Sequence, residues 1–301
     1  MISICIPIYN FNVSALVTAL EKQIAQCPEK AQIVLIDDAS SQEFKDLNEA
    51  VCSKYFYLKL EENIGRSAIR NLFLEHAEHD YLLFLDCDSL VEHPGFIANY
   101  LAAIRQNPDD VICGGRVYRP QAPDKEHYLR WKYGIKKESK SAIERAKNPN
   151  SSFMTNNFVV AKNVLKAIGF DERLKNYGHE DTLFGYELKE NNIEVKHIDN
   201  PVVNGHLETN AVYIANTEKA IENLARILDF TNHDKELIKD VTLLTTYKRF
   251  KFFKPLIRLF HSGFGPLIKK RLTKGKVSLN AFDCYKLGYL NSVWNNKITN
   301  G

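Results

Sequence analysis

A chain of 301 residues that is 45% hydrophobic and 26% charged has the balance of a globular protein with a full core, which excludes general disorder. The net charge of +3 conceals two opposed parts: residues 247–301 carry twelve Lys/Arg against the single acid Asp283, while residues 1–246 carry 28 basic and 36 acidic residues. The acidic part is a poor binder of nucleic acid, and the basic tail needs its own explanation.

The first run, Ile2–Ile8, is apolar and β-rich, lacks a basic leader and turns polar by Asn10, so it reads as a strand and not as a signal peptide. Leu16, Leu20 and Ile24 follow at helical spacing. Ile33–Ile36 is a second apolar strand, closed by Asp37-Asp38-Ala39-Ser40, and a polar helix runs over 43–52. Strands over 56–60 and 81–85 enclose a helix over 66–78. A helix is expected over 96–104, a strand over 111–117, helical pieces near 128–135 and 141–146, and a strand over 153–160. Helix 180–188, strand 193–198 and a long helix over 211–228 follow.

Alternation of continuous apolar strands with helices predicts an α/β fold, a mostly parallel sheet with helices on both faces. Such sheets bind ligands beyond the carboxyl ends of their strands. Tyr9, Asn10, Asp37, Asp38, Asn63, Asp86 and Asp88 all collect there. A domain over 1–230 and a helical, basic extension over 231–301 are expected. Six cysteines occur without Cys-x-x-Cys or zinc spacing, which suits a reduced, cytoplasmic setting.

Asp86-Cys87-Asp88 places two carboxylates at a strand end, where both can face one hard cation such as Mg²⁺ or Mn²⁺; alone, the same triplet also reads as a polar turn. Asp37-Asp38 can accept from a nucleobase or ribose, or cap the next helix. Gly65 permits an unusual backbone angle at the head of the helix, and Arg66 and Arg70, i and i+4, share a face suited to phosphate or to solvent. Glu180-Asp181 opens a helix, where acids favour the dipole and where one could serve as a general base. His206 follows a strand exit, a place open to a metal ligand or to a structural histidine.

Taken in order, Ile6-Pro7-Ile8-Tyr9-Asn10, Ile36-Asp37-Asp38-Ala39-Ser40, Asn63-Ile64-Gly65 with Ala68-Ile69-Arg70-Asn71, Leu85-Asp86-Cys87-Asp88 and His179-Glu180-Asp181 resemble the family-2 inverting glycosyltransferases of GT-A (Rossmann-like) fold. The resemblance covers about residues 1–210. It implies transfer of a sugar, with inversion, from a nucleotide-sugar, typically UDP-linked, to a saccharide or lipid-linked saccharide acceptor in cell-surface polysaccharide or glycan synthesis. Tyr9 and Asp38 would meet the base. Pro7, Asn63, Gly65, Arg70, Asp86, Asn157 and Glu180 would complete the donor site, with Asn156-Asn157 near the sugars. Asp86, Asp88 and His206 would hold Mg²⁺ or Mn²⁺, and Asp181 would be the catalytic base.

Two departures from the family pattern matter. Ser89 stands where many relatives have a further Asp, and the Gln-x-x-Arg-Trp motif of processive relatives is absent, which favours single additions. A sugar nucleotidyltransferase would need a Gly-rich loop after the first strand, and residues 7–14 contain no glycine. A non-catalytic nucleotide-sugar module is the other alternative, and the intact acids argue against it.

Residues 247–276 interleave ten Lys/Arg with aromatic and aliphatic residues and no acid, a pattern suited to an anionic membrane surface on the cytoplasmic side. Packing on the acidic body is the other reading. Pro255, Gly263, Gly265 and Pro266 are expected to break the segment into short helices.

Overall fold

A computed structural model of the chain describes residues 1–27, 29–108 and 110–299, with side chains to residue 294. The strands are β1 (Ile2–Ile8), β2 (Ala31–Asp37), β3 (Phe56–Lys59), β4 (Tyr81–Leu85), β5 (Ser89–Leu90), β6 (Val111–Cys113), β7 (Arg116–Val117), β8 (Asn157–Ala161), β9 (Val195–His197) and β10 (Val202–Asn204). The helices are α1 (Ser14–Ile24), α2 (Gln42–Cys52), α3 (Arg66–His76), α4 (Phe96–Gln106), α5 (Tyr128–Tyr133), α6 (Ala142–Arg145), α7 (Lys162–Ile168) and α8 (Glu180–Glu190). They continue with α9 (Asn210–Phe230), α10 (Lys235–Asp240), α11 (Thr242–Arg249), α12 (Lys254–Thr273) and α13 (Leu279–Thr299). The chain forms two compact units, the first of residues 1–119, 138–175 and 180–206, the second of 120–137, 176–179 and 207–301.

In the first unit a seven-stranded sheet runs β3-β2-β1-β4-β8-β6-β9. Every pairing is parallel except those of β8, which opposes both β4 and β6. The period-2 alternation of strand side chains sends Ile4, Ile6, Ile33, Leu35, Leu83 and Leu85 to one face. Cys5, Val34, Ile36, Leu82 and Phe84 go to the other. Helices α1 and α4 cover the first face, and α3, α7 and α8 cover the second. Burial on both faces is why these strands are unbroken apolar runs. Pro7 is tolerated near the sheet centre because β1 pairs with β4 only through Cys5.

The strand expected over 111–117 is interrupted. Gly115 takes φ +87°, and a Cβ at Gly114 would lie 2.4 Å from Tyr100 Oη, so the chain turns at the double glycine. Arg116 thereby enters a second sheet, β5-β10-β7.

The second unit is helical around Leu129, Ile214, Leu272, Phe282 and Tyr285. Because α9 packs on α12 and α13, the second unit takes in α9 and residues 120–137 instead of starting at 231. On α9, Glu218 accepts from Lys269 (2.7 Å) and Tyr285, and Glu222 accepts from Tyr289 (2.7 Å). The expected break of residues 254–273 into short helices does not occur. Pro255 lies in the first turn, where its missing N–H costs nothing. Gly265 and Gly288 instead accommodate His261, which a Cβ at either would approach to within 2.9 Å and 2.5 Å.

Candidate active site

The rim at the carboxyl ends of β1, β2 and β4 is built by side chains holding backbone. Asp37 Oδ1 accepts from Ser40 N–H (2.7 Å), and Ser40 Oγ accepts from Asn10 N–H (2.8 Å), which ties the ends of β1 and β2 together. Asp38 accepts from Ile64 N–H (2.7 Å) and Gly65 N–H (3.2 Å), and Asn63 Nδ2 donates to the Asp38 carbonyl (3.1 Å). Asp38 therefore organises the turn into α3 instead of capping α2. Burial pushes its carboxyl up, against those two N–H donors. Gly65 holds φ +87° at the head of α3, an angle that a side chain would resist. Tyr9 is exposed beside this rim, and Pro7 lies within β1.

Asp86 sits at the end of β4 inside three guanidiniums. Arg70 Nη2 donates to Oδ1 (2.8 Å), while Arg66 Nη2 (3.5 Å) and Arg116 Nη2 (3.4 Å) face Oδ2. Burial alone would raise this carboxyl; the three cations outweigh burial and hold it below the usual carboxylate range. Arg66 and Arg70 do share a face, as their spacing predicts, but that face meets carboxylates. Arg70 is fully buried, so it supports Asp86 from beneath and presents no open surface to a phosphate.

Arg66 also joins two distant motifs, because its Nε donates to Glu180 Oε1 (2.5 Å). Glu180, buried at the start of α8, is held low by Arg66 and Arg70 despite its desolvation. Its neighbour Asp181 has the opposite fate: burial and the Glu180 charge push it up to about 6. Two adjacent carboxylates driven apart in this way match a fixed anion and a proton acceptor.

The second sheet adds the remaining groups. Gly205 N–H donates to the Asp88 carbonyl (2.8 Å), an approach that leaves a Cβ at Gly205 only 2.6 Å from that oxygen. Asp88 Oδ1 lies 3.9 Å from Arg116 Nη2. His206 is exposed, with its ring edge-on to Phe11 at 5.9 Å. Among the described residues no three His, Cys, Asp or Glu side chains converge to cage an ion. A magnesium-like ion needs no such cage, since one or two carboxylates with substrate phosphate suffice. Asp88, more exposed than the arginine-clamped Asp86, fits that simpler arrangement.

Asn157 is fully buried and spent: its Nδ2 donates to the carbonyls of Gly115 and Asn200 (both 2.9 Å), and its Oδ1 accepts from Tyr100 (2.7 Å). It fastens the double-glycine turn and has nothing left for a sugar. Asn156 is the residue of that pair with a buried, unpartnered Nδ2, and its carbonyl accepts from Asp86 N–H (3.1 Å). Ser67 Oγ, Arg70 Nε, Ser89 Oγ and Arg116 Nε are likewise buried without partners, so unspent donors gather on the elements around Asp86. Arg116 had no sequence signal except the Gly114-Gly115 pair that re-aims it. Burial alone would lower its pKa, but the charges of Tyr118, Asp88 and Asp86 raise it, keeping it a permanent cation.

The family model "Glycosyl transferase family 2" matches residues 3–169. Minor teichoic acid biosynthesis protein GgaB of Bacillus subtilis is 30% identical over 186 residues, 58% of this chain and 19% of GgaB. The chain spans under half the length of the curated relatives it matches. The mannosyltransferase PcManGT from Pyrobaculum calidifontis, solved with GDP-Man and Mn²⁺, superposes with a TM-score of 0.62 at 14% identity, over 98% of this chain and 86% of PcManGT. S. aureus TarS gives 0.53 at 18% identity, over 98% of this chain and 55% of TarS. These likenesses place the chain in the GT-A fold.

Proposed function

The chain belongs to glycosyl transferase family 2, and on that premise we propose that it transfers a sugar from a nucleotide-sugar, UDP-linked by preference, to a saccharide or lipid-linked saccharide hydroxyl with inversion. The reading rests on one observation above the others: the Arg66 guanidinium spans Asp86 of the Asp-x-Asp triplet and Glu180 of the Glu-Asp pair. Donor-side and acceptor-side acids thus lie within the reach of one side chain.

In this scheme Asp181, ionised above about pH 6, takes the proton of the acceptor hydroxyl. The hydroxyl oxygen bonds to the anomeric carbon from the face opposite the leaving group. The bond from that carbon to the diphosphate oxygen breaks, and the nucleoside diphosphate leaves. Glu180 stays anionic and raises the basicity of Asp181. Asn156 Nδ2, Arg116 Nε and Ser89 Oγ are buried without partners, and would donate to a donor sugar only where its binding opens the rim around them. Asp38 fixes the turn at Asn63–Gly65 and keeps free lone pairs for the base. A divalent ion carried by Asp88 and the donor phosphates would neutralise the leaving charge. The work belongs to cell-surface polysaccharide or glycan synthesis. The basic C-terminal segment would hold the enzyme on the cytoplasmic face of a membrane, where lipid-linked acceptors are found.

The test is a panel of UDP- and GDP-sugars scored for nucleoside diphosphate release with Mg²⁺ or Mn²⁺. Metal-dependent release from one donor, absent in Asp181→Asn, is expected. Tight donor binding with no release by the parent under any metal would instead support a binding module. Retained anomeric configuration in the product, read by NMR, would exclude the single displacement.

A further inference from the structure

Within the second unit, α12 has two apolar faces. One, carrying His261, Gly265, Ile268 and Leu272, is turned inward, and α12 packs on α13. The other carries Leu256, Leu259, Phe264 and Leu267, spaced to share one side of the helix, and the turn before it adds Phe252 and Phe253. All six are between 52% and 82% exposed. Apolar side chains so concentrated are unusual on a water-facing helix.

The charges around this face are of one sign. Lys251, Arg258, Lys270, Arg271 and Lys274 are exposed, and the sequence has no acid from residue 241 to 282. Lys269 is the exception that is neutralised, by Glu218. A second copy docking face to face about a twofold axis would bring these cations against their own images. An anionic lipid surface would meet them with opposite charge while its acyl region accepts the side chains between them. No helix among the described residues is long and apolar enough to cross a bilayer.

We propose that α12 lies in the plane of an anionic membrane and inserts its Leu256–Leu267 face, with Phe252 and Phe253, below the headgroups, the surrounding Lys and Arg resting on lipid phosphate. At about 1.5 Å per residue, its 20 residues make a foot of roughly 30 Å. Insertion, not charge alone, holds the protein there, so attachment survives salt that abolishes purely electrostatic contact. The proposal involves no step of sugar transfer.

The experiment is co-sedimentation of the full chain with phosphatidylcholine vesicles, with and without 30% phosphatidylglycerol, at low and at half-molar salt. The parent is expected to prefer anionic vesicles and to keep a substantial bound fraction in high salt. Phe252→Ser, Leu259→Ser and Phe264→Ser together remove exposed groups only, so far-UV circular dichroism should not change, while vesicle partitioning falls at least about tenfold at both salts. Lys270→Gln, Arg271→Gln and Lys274→Gln together should weaken binding mainly at low salt. Equal binding to neutral vesicles, or no binding to anionic ones at low salt, overturns the proposal. So does a parent dimer by light scattering that the apolar triple variant turns into a monomer without any vesicle binding. Nucleoside diphosphate release measured without vesicles is a separate readout, and its loss or survival leaves this result standing.

Discussion

Arg70 offers the most direct test of how the site is held. Its side chain is 2% exposed, its Nη2 donates to Asp86 at 2.8 Å and its Nη1 to the Arg66 carbonyl at 2.9 Å. Arg70→Met keeps most of the volume and removes the charge. Asp86, itself 16% exposed, is then left with Arg66 and Arg116, which face its other oxygen at 3.5 Å and 3.4 Å. Removing one partner of a buried pair costs ~3–5 kcal/mol, because the remaining charge is left without compensation. The cost should depend on pH in a definite direction. In the parent, Asp86 has a lowered pKa, so its stabilising contribution is present above the unfolded value of ~3.9 and is lost only as pH falls through the folded one. Without Arg70 that contribution disappears, so the gap between variant and parent is full at pH 7 and closes as the solution is taken below about pH 4. Both tryptophans, Trp131 and Trp294, belong to the second unit, so their fluorescence reads the wrong part of the chain. Amide hydrogen exchange in β1 and β4 reads the right one, and protection there should fall roughly 10²- to 10³-fold at pH 7. A double variant with Asp86→Asn should recover much of the loss. A fall of less than about fivefold at pH 7, or a gap that stays undiminished as the solution is taken well below about pH 4, would refute the assignment of Arg70 as the counter-ion of a buried carboxylate.

Asp181→Asn should cut turnover by ~10²–10⁴ while donor affinity is little changed, and kcat/KM of the parent should fall on the acid side of about pH 6. Burial and the Glu180 charge together raise Asp181, so Glu180→Gln, which removes the second of these, should move that acid limb down; an upward shift would mean that Glu180 acts otherwise. Asp88→Asn should weaken the metal dependence of donor turnover by an order of magnitude or more, and full activity in excess EDTA would remove the ion from the scheme. His206→Ala should leave Mg²⁺ and Mn²⁺ titrations unchanged if the ring is only a neighbour of Phe11, and a selective loss of Mn²⁺ affinity would make it a ligand. Asn156→Ala should weaken donor binding with stability kept, whereas Asn157→Ala should cost ~1–3 kcal/mol of stability by taking the side-chain partner from the Asn200 carbonyl and from the Tyr100 hydroxyl.

Much of the first unit was legible because its strands are buried on both faces and so read as continuous apolar runs ending in polar residues. Asp38 and Asp86 stood out as acids at the ends of such runs, and Glu180 and Asp181 as acids opening a helix. What pairs with them was not legible. A basic i, i+4 face looks alike whether it meets phosphate, water or a carboxylate arriving more than a hundred residues later, as Glu180 does at Arg66. Asn156 and Asn157 look alike in the sequence, but Asn157 opens β8 while Asn156 lies in the turn before it, so one step along the chain separates a buried fastener from an unspent donor. The double glycine was the visible trace of Arg116, but the apolar residues on either side of it, Val111–Cys113 and Val117, hid the turn. In α12, proline and glycine read as punctuation, whereas Pro255 sits at a helix start and Gly265 makes room for the His261 ring one turn earlier on the same helix.

The reversed strand has a consequence for how the polypeptide comes together. β6 leaves the ribosome before β8, yet β8 must slide between β4 and β6 before β6 has any neighbour in the sheet. Until residues 157–161 arrive, one flank of β4 is an open edge of unpaired backbone groups directly beneath Asp86. A nascent or truncated chain stopping short of Asn157 would carry that edge into solution, where a second such chain could pair with it. Any expression fragment of the first unit should therefore keep β8 whole, and slow synthesis between β6 and β8 is where aggregation of this protein should begin.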